Sequence, residues 1–265
     1  MSRGEIYRII VFLRILMLEY HMTFFAFPLN LVLALLWVAG VFFSYKNAPS
    51  SRVVRFMLSP LATIVSIALF SVACLILGLT GNRELIRSLP FILIYIFMMT
   101  VLLYVILRGW KSGGGIRWRF LLNHAGLLLA LSAAFFGAPD SETIRVQTYK
   151  DVPVREAFRM DGSRTWLSYE LELKEFKVEM YDDGTPSSYE AGVMIDGKPV
   201  TLKVNHPHSV GLAEDVYLSS YDQTAGEYCI LQIVKEPWKY PALVGIIMML
   251  AGALLLFIQG PRKKK

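Results

Sequence analysis

The chain has 265 residues, of which 55% are apolar and only 18% charged, and its mean hydropathy is +0.47. This composition excludes an ordinary water-soluble globule and predicts a protein whose solvent is largely the lipid bilayer. The net charge of +6 comes from Lys and Arg residues in short loops and in a terminal run, a distribution that encodes membrane topology. No basic face or recognition motif occurs, so no nucleic-acid partner is expected.

The amino-terminal segment, residues 1–23, has helical apolar periodicity from Ile6 to Met22, interrupted by Arg8, Arg14 and Glu19. This pattern predicts an amphipathic helix at the membrane interface. If the segment instead crosses the membrane, the chain has six spans rather than five. No small-residue cleavage site precedes the next apolar run, which disfavours a secretory signal peptide.

Five further stretches can cross a bilayer, because about 20 residues at helical rise span the hydrocarbon. They are Phe24 to Phe43, Phe56 to Leu79, Leu89 to Leu107, Leu121 to Gly137 and Tyr240 to Gln259. The membrane part therefore comprises residues 24–138 and 239–265. The loops Tyr45 to Arg55 and Arg108 to Arg119, and the tail Arg262 to Lys265, carry basic residues and no acidic ones. These three segments are predicted to be cytoplasmic, which places residues 139–238 on the opposite side.

From Pro139 to Trp238 charge appears every few residues and apolar side chains alternate with period two, which predicts a β-rich domain. The alternation is offset between Leu173 and Phe176, where we expect a β-bulge. Asp-Gly pairs at 161–162, 183–184 and 196–197 predict turns, the last of them a hairpin. The predicted fold is a membrane α-helical bundle of about five spans, with one extracytoplasmic β-rich domain between the last two. That domain is expected to be a small sandwich or a curled sheet.

Among four histidines, His124 lies a few residues inside the fourth predicted span. A polar ring in hydrocarbon costs free energy unless it is partnered, so His124 is a candidate functional residue. Either a hydrogen bond to a neighbouring helix or ligation of a haem iron would satisfy the ring. Gly126 would let a flat macrocycle approach, or it would serve plain helix packing.

The other histidines and the two cysteines are weaker candidates. With five spans, His21 lies about 30 Å from His124, so one haem could not use both rings and a second ligand would come from a partner or a second copy. His206 and His208 are predicted in a solvated turn, where they would hold a metal only with further ligands. Cys74 lies in a span and Cys229 in the β-domain, which predicts no intrachain disulfide.

Six short segments follow one another in a distinctive order and spacing. They are Leu77-Gly78-Leu79, Asn123-His124-Ala125-Gly126-Leu127-Leu128-Leu129, residues 173–186, Val204-Asn205-His206-Pro207, Val216-Tyr217 and Lys235-Glu236-Pro237-Trp238. Together they resemble the ResB-like (CcsB) cytochrome c biogenesis proteins over roughly residues 56–259. The resemblance implies a component of system II cytochrome c maturation. Such a component acts with a CcsA-type (ResC) partner to move haem b across the bacterial inner membrane to apocytochrome c.

The resemblance also implies that His124 is an axial ligand of the haem iron. If haem binds there, Arg117 and Arg119 are candidate contacts of its propionates, or they act only as topology determinants. The chain is expected to be a non-catalytic subunit, and apocytochrome c and a thioredoxin-like thiol reductant are further expected partners. The rival hypothesis is an accessory or sensor subunit of a membrane transporter, with a ligand-binding β-domain and with His124 bonded only to a neighbouring helix.

Overall fold

A computed structural model describes residues 25–112, 115–222 and 227–259. The segment Ile6 to Met22, with His21, and the basic tail from Arg262 lie outside the described residues. Within the described chain, five helices are long and apolar enough to cross a membrane. The chain divides into two compact units, a helical unit and a second unit formed by residues 140–239.

The described part of the helical unit contains six α-helices. They are α1 (Leu29–Asn47), the short α2 (Arg52–Met57), α3 (Pro60–Thr80), α4 (Leu89–Gly109), α5 (Trp118–Gly137) and α6 (Lys239–Gln259). A 3-10 turn, Arg83–Arg87, joins α3 to α4, and a two-residue ladder pairs β1 (Lys111–Ser112) with β2 (Gly115–Ile116) between α4 and α5. Helix α4 is central in this unit, because it contacts α1, α3 and α5.

The first two predicted spans begin too early in the chain. Helix α1 begins at Leu29 rather than Phe24, because Pro28 occupies its cap and biases the preceding residue away from helical backbone. The second predicted span is divided into α2 and α3. Ser59 caps α3 by accepting a hydrogen bond from the Ala62 amide at 3.1 Å, and Pro60 occupies the first helical position, where it is favoured.

Small residues bring α5 and α6 into backbone contact. A Cβ atom added to Gly126 would lie 2.6 Å from the Gly245 carbonyl oxygen, and one added to Gly245 would lie 2.7 Å from the Ala130 amide nitrogen. Both distances are shorter than van der Waals contact, so neither position has room for a side chain. Of the two roles considered for Gly126, the structure therefore supports plain helix packing.

The second unit is built around one antiparallel sheet of eight strands in the order β7-β6-β5-β4-β3-β10-β9-β8. The strands are β3 (Glu142–Tyr149), β4 (Val154–Arg159), β5 (Arg164–Met180), β6 (Pro186–Ile195), β7 (Lys198–Lys203), β8 (His208–Gly211), β9 (Glu214–Tyr221) and β10 (Tyr228–Lys235). The bulge is confirmed by a register shift between Leu173 and Glu175. The three Asp-Gly turns are confirmed as well, each with its glycine at positive φ.

The sheet curls so that its two halves face each other. Tyr221 on β9 lies 4.7 Å, between ring centroids, from Phe176 on β5 and 5.0 Å from Tyr189 on β6, although neither strand pairs with β9. The buried core draws on both halves, with Leu171, Leu173, Val193 and Leu202 from one and Ile144, Val146, Leu231 and Ile233 from the other. Of the two predicted arrangements, a small sandwich and a curled sheet, the structure therefore shows the curled sheet.

The chain enters and leaves this sheet at one place. Glu142, at the start of β3, pairs with Lys235, at the end of β10. The Trp238 indole N–H donates to an Asp140 carboxylate oxygen at 2.5 Å, and the Lys239 Nζ lies 2.7 Å from an Asp215 carboxylate oxygen. We call this end of the sheet, where Glu142 and Lys235 lie, the tethered end.

Replacing Gly126 by Val should destabilise the α5–α6 contact, because the new side chain would overlap the Gly245 backbone. We expect a loss of about 1–3 kcal/mol in the free energy of unfolding, measured by denaturing-detergent titration of the reconstituted chain. Gly78→Val is the matched control, since a Cβ at Gly78 has no neighbouring atom within 4 Å. Equal losses in the two variants would contradict the packing assignment.

The stability of the β-domain should depend on pH through Asp215. Hydrogen bonds from Lys239 and Ser209 lower the pKa of Asp215 below that of an unfolded aspartate, about 3.9. The carboxylate therefore stabilises the folded state fully above that value, and the contribution is lost as pH falls through the folded-state pKa.

Asp215→Asn should consequently lower the free energy of unfolding by about 1 kcal/mol near neutral pH, with no difference in strongly acidic solution. Denaturant titrations followed by tryptophan fluorescence, from neutral pH down to strongly acidic solution, measure the effect. Asp182→Asn, at an exposed turn residue, should show no such pH-dependent difference.

Candidate functional site

The two basic loops lie at one end of the helical unit. The Ser44 and Tyr104 hydroxyls are 2.6 Å apart near the carboxyl ends of α1 and α4, and Arg108 donates to the Leu58 carbonyl at 2.5 Å. Helix α5 begins at this end and runs antiparallel to α4. The described basic residues here are Lys46, Arg52, Arg55, Arg108, Arg117 and Arg119, and the sequences 44–59 and 107–119 contain no Asp or Glu. We call this the basic end.

His124 lies in the second turn of α5, close to the basic end. Its Nδ1 atom is 2.9 Å from the Phe120 carbonyl oxygen, one helical turn earlier. Because a carbonyl oxygen can only accept a hydrogen bond, Nδ1 carries the ring proton in this arrangement. In the neutral ring this arrangement leaves the lone pair on Nε2, which is the form in which imidazole ligates a metal.

The ring of His124 makes its hydrogen bond within its own helix. Of the two roles weighed for it, a bond to a neighbouring helix is not seen among the described residues. The His124 ring is only partly buried, and no hydrogen bond from Nε2 to another described residue is seen. Its lone pair therefore faces a position that another molecule could occupy.

Phe120 holds the imidazole in place. The two rings stack with centroids 4.0 Å apart and planes inclined by 25°. Phe120 in turn lies against the backbone of Gly109, where an added Cβ would come within 2.5 Å of the Phe120 ring. The absence of a side chain at Gly109 is thus what lets Phe120, and through it His124, adopt this position. Sequence reasoning missed Phe120, although an aromatic residue four positions before an intramembrane histidine is a usable signal.

Arg117 belongs to the same cluster. Its Nη1 donates to the Gly109 carbonyl at 3.2 Å, and its guanidinium carbon lies 4.9 Å from the centroid of the Phe120 ring. Arg117, Phe120 and His124 are spaced i, i+3 and i+7, so they follow one face of the helix. The structure brings the exposed Arg117 together with His124 through Phe120.

Arg119 is placed differently. It lies two positions further along the helix than Arg117, and its carbonyl accepts a hydrogen bond from the Asn123 side-chain amide at 2.8 Å. Asn123 is the residue that a Cβ on Gly252 of α6 would meet, at 2.5 Å. Arg119 and Asn123 therefore follow the side of α5 that faces α6, away from the stripe that carries His124.

The other candidate residues that the structure describes form no second site. His206 and His208 are exposed beside and within β8, and no group of three or more His, Cys, Asp or Glu within the described ranges could hold a metal ion. Cys74 and Cys229 are both free thiols. Burial raises the pKa of Cys229 to about 12, so this thiol is protonated at neutral pH and a poor redox group.

Five apolar helices and an eight-stranded antiparallel sheet define the chain as a multi-pass membrane protein with a separate β-domain. The model of the ResB-like family matches residues 111–230, which confirms the resemblance found in the sequence. The match includes Arg117, Arg119 and His124 and most of the β-domain. It is shorter than the expected range, since Leu77-Gly78-Leu79 and Lys235 to Trp238 lie outside it.

No curated protein sequence matches the chain. Among solved structures, the chain is similar to one described as "Cytochrome c Heme Lyase CcmF", with 13% sequence identity and a TM-score of 0.37. The alignment covers 75% of this chain and 34% of that one, so the chain spans about a third of that protein's length. A TM-score this low does not establish a common fold.

The tautomer of His124 can be measured directly. We expect ¹⁵N solid-state NMR of histidine-labelled protein in bilayers to show a neutral ring with protonated Nδ1 and unprotonated Nε2. Gly109→Ala should displace Phe120 and broaden or shift this signal, because the added methyl group overlaps the Phe120 ring.

The His124→Gln spectrum identifies the signal by its loss. Gly115→Ala is the matched control, since a Cβ there has no neighbour within 4 Å. A His124 ring protonated on Nε2 in the unmodified chain would refute the assignment.

Proposed function

We propose that the chain is a haem-handling subunit of the system II cytochrome c maturation machinery and that His124 ligates the haem iron through Nε2. The orientation of His124 carries the proposal, because Nδ1 lies 2.9 Å from the Phe120 carbonyl oxygen and Nε2 remains for another partner. A hydrogen bond from the distal ring nitrogen to a backbone carbonyl is the usual way in which proteins orient a metal-ligating histidine.

The surroundings of His124 suit haem as a transported substrate. The macrocycle is apolar and flat, whereas its iron and two propionates are the groups that need polar partners. Phe120 supplies an aromatic surface beside the imidazole, and Arg117 holds an exposed guanidinium on the same helix face. We assign Arg117 as the propionate partner. Arg119, on the α6 side of the helix, is assigned to membrane topology.

The basic end supports a cytoplasmic location for this site. Basic loops without acidic residues are retained on the cytoplasmic side of bacterial inner membranes. In this proposal haem is taken up at His124 on that side, and the β-domain lies in the periplasm. The β-domain then meets apocytochrome c or the external haem site of a partner.

The proposed partner is a separate CcsA-type (ResC) membrane protein. A haem iron accepts two axial ligands, and His124 supplies one of them. The second ligand is assigned to the partner, because no second histidine of the described helices lies in a span. A thioredoxin-like reductant would keep the apocytochrome thiols available, since the buried thiol of Cys229 is unsuited to that task.

The absorption spectrum of the purified chain, alone and with its copurifying partner, tests this function. We expect a Soret band and a pyridine haemochrome signal for haem b in the unmodified protein, and at least a severalfold loss of both in His124→Ala. Added imidazole should restore part of the absorption, because it replaces the missing ligand. Cytochrome c assembly in cells should fall in parallel.

His208→Ala is the matched control, since it removes an exposed histidine of the β-domain. Arg117→Gln should weaken haem retention more than Arg119→Gln does. Normal haem content and normal cytochrome c assembly in His124→Ala would refute the proposal.

A further inference from the structure

Two exposed apolar turns of the β-domain lie at its tethered end. The first is the β4–β5 turn, where the Met160 side chain is 62% exposed. The second is the β8–β9 turn, where Leu212 is 81% exposed. Soluble domains place polar residues at such turns, so an apolar residue at both needs an explanation.

Contacts within the β-domain fix the position of both turns. Arg159, the last residue of β4, forms an ion pair with Glu142 at 2.7 Å, and its backbone pairs with Ile144 near the start of β3. The amide of Glu236 donates to the Ala213 carbonyl at 2.7 Å, next to Leu212. Both turns therefore lie beside Glu142 and Lys235, where the chain enters and leaves the sheet.

Short connections tie this end to two membrane helices. Four residues separate the end of α5 at Gly137 from Glu142, and three separate Lys235 from the start of α6 at Lys239. Since an extended residue spans at most about 3.6 Å, neither connection exceeds about 20 Å. Covalent structure alone thus keeps the tethered end next to the bilayer surface in which α5 and α6 are embedded.

The composition of the tethered end suits a lipid surface. Two of its ion pairs join Arg159 to Glu142 and Lys239 to Asp215, and the exposed Asp161 and Glu236 remain at the headgroup level. Two aromatic residues, Phe158 and the 74% exposed Trp166, lie on the outward face of the same β4–β5 hairpin. Apolar side chains at the tip with an aromatic residue further from it follow the polarity gradient of a membrane interface.

We infer that the tethered end of the β-domain is a membrane-contact surface, with Met160 and Leu212 inserted among the lipids and Trp166 at the level of the headgroups. This inference is independent of haem binding. Because Met160 and Leu212 carry no charge, the contact that they make is apolar and insensitive to salt.

Site-directed spin labelling of the full chain in phosphatidylcholine nanodiscs tests the inference. Met160→Cys, Leu212→Cys and Met180→Cys are labelled singly in a Cys74→Ala background, in which the remaining Cys229 is buried. Met180 is the matched control, because it is a methionine of similar exposure, 58%, at the opposite end of β5.

We expect the ratio of oxygen to nickel-chelate accessibility to be several-fold higher at positions 160 and 212 than at position 180, and equal in low and high salt. Equal ratios at the three positions, as in a domain that stands clear of the bilayer or keeps this surface for a protein partner, would overturn the inference. So would a ratio at position 160 that collapses in high salt.

Discussion

Hydrocarbon offers a polar group no hydrogen-bonding partner, and this single constraint shapes the helical unit. Backbone groups are satisfied inside helices, and polar side chains bond to another helix or back to their own. The Trp37 indole donates to Thr100, and the Tyr95 hydroxyl donates to the Leu131 carbonyl. His124 follows the same rule with one nitrogen only. An imidazole has two nitrogens, so meeting the constraint through Nδ1 leaves Nε2 available for another molecule.

The helices were predictable because membrane solvation leaves a strong signal in the sequence. Hydropathy located the five long helices of the described chain, and the basic loops lie together at one end of the unit. The errors are local and have local causes. Pro28 delays the start of α1, and Ser59 with Pro60 divides the second predicted span. A capped helix start interrupts the helix without lowering the mean hydropathy of the apolar run, so hydropathy does not detect it.

The β-domain and the candidate site were predictable only in part. Alternation and Asp-Gly turns located strands, the bulge and the hairpins, since these are local patterns. The curl of the sheet depends on contacts between distant strands, such as Tyr221 with Phe176, and no local pattern encodes them. Likewise, His124 was evident as a polar residue in a span, but its support by Phe120 and Gly109 depends on the helix α4 that packs beside it. The proposal of Arg117 rather than Arg119 as the propionate partner also depends on which face of α5 each residue occupies.

The order of strands in the sheet has a consequence for biosynthesis. Strand β10 is the last to be synthesised, yet it lies between β3, the first strand of the domain, and β9. The sheet cannot close its middle until residues 228–235 have left the ribosome, and α6 follows almost immediately. Pairings between residues so far apart in sequence form slowly. Insertion of the last helix and closure of the β-domain are therefore nearly simultaneous events, so a delay in either one exposes the unpaired edges of β3 and β9.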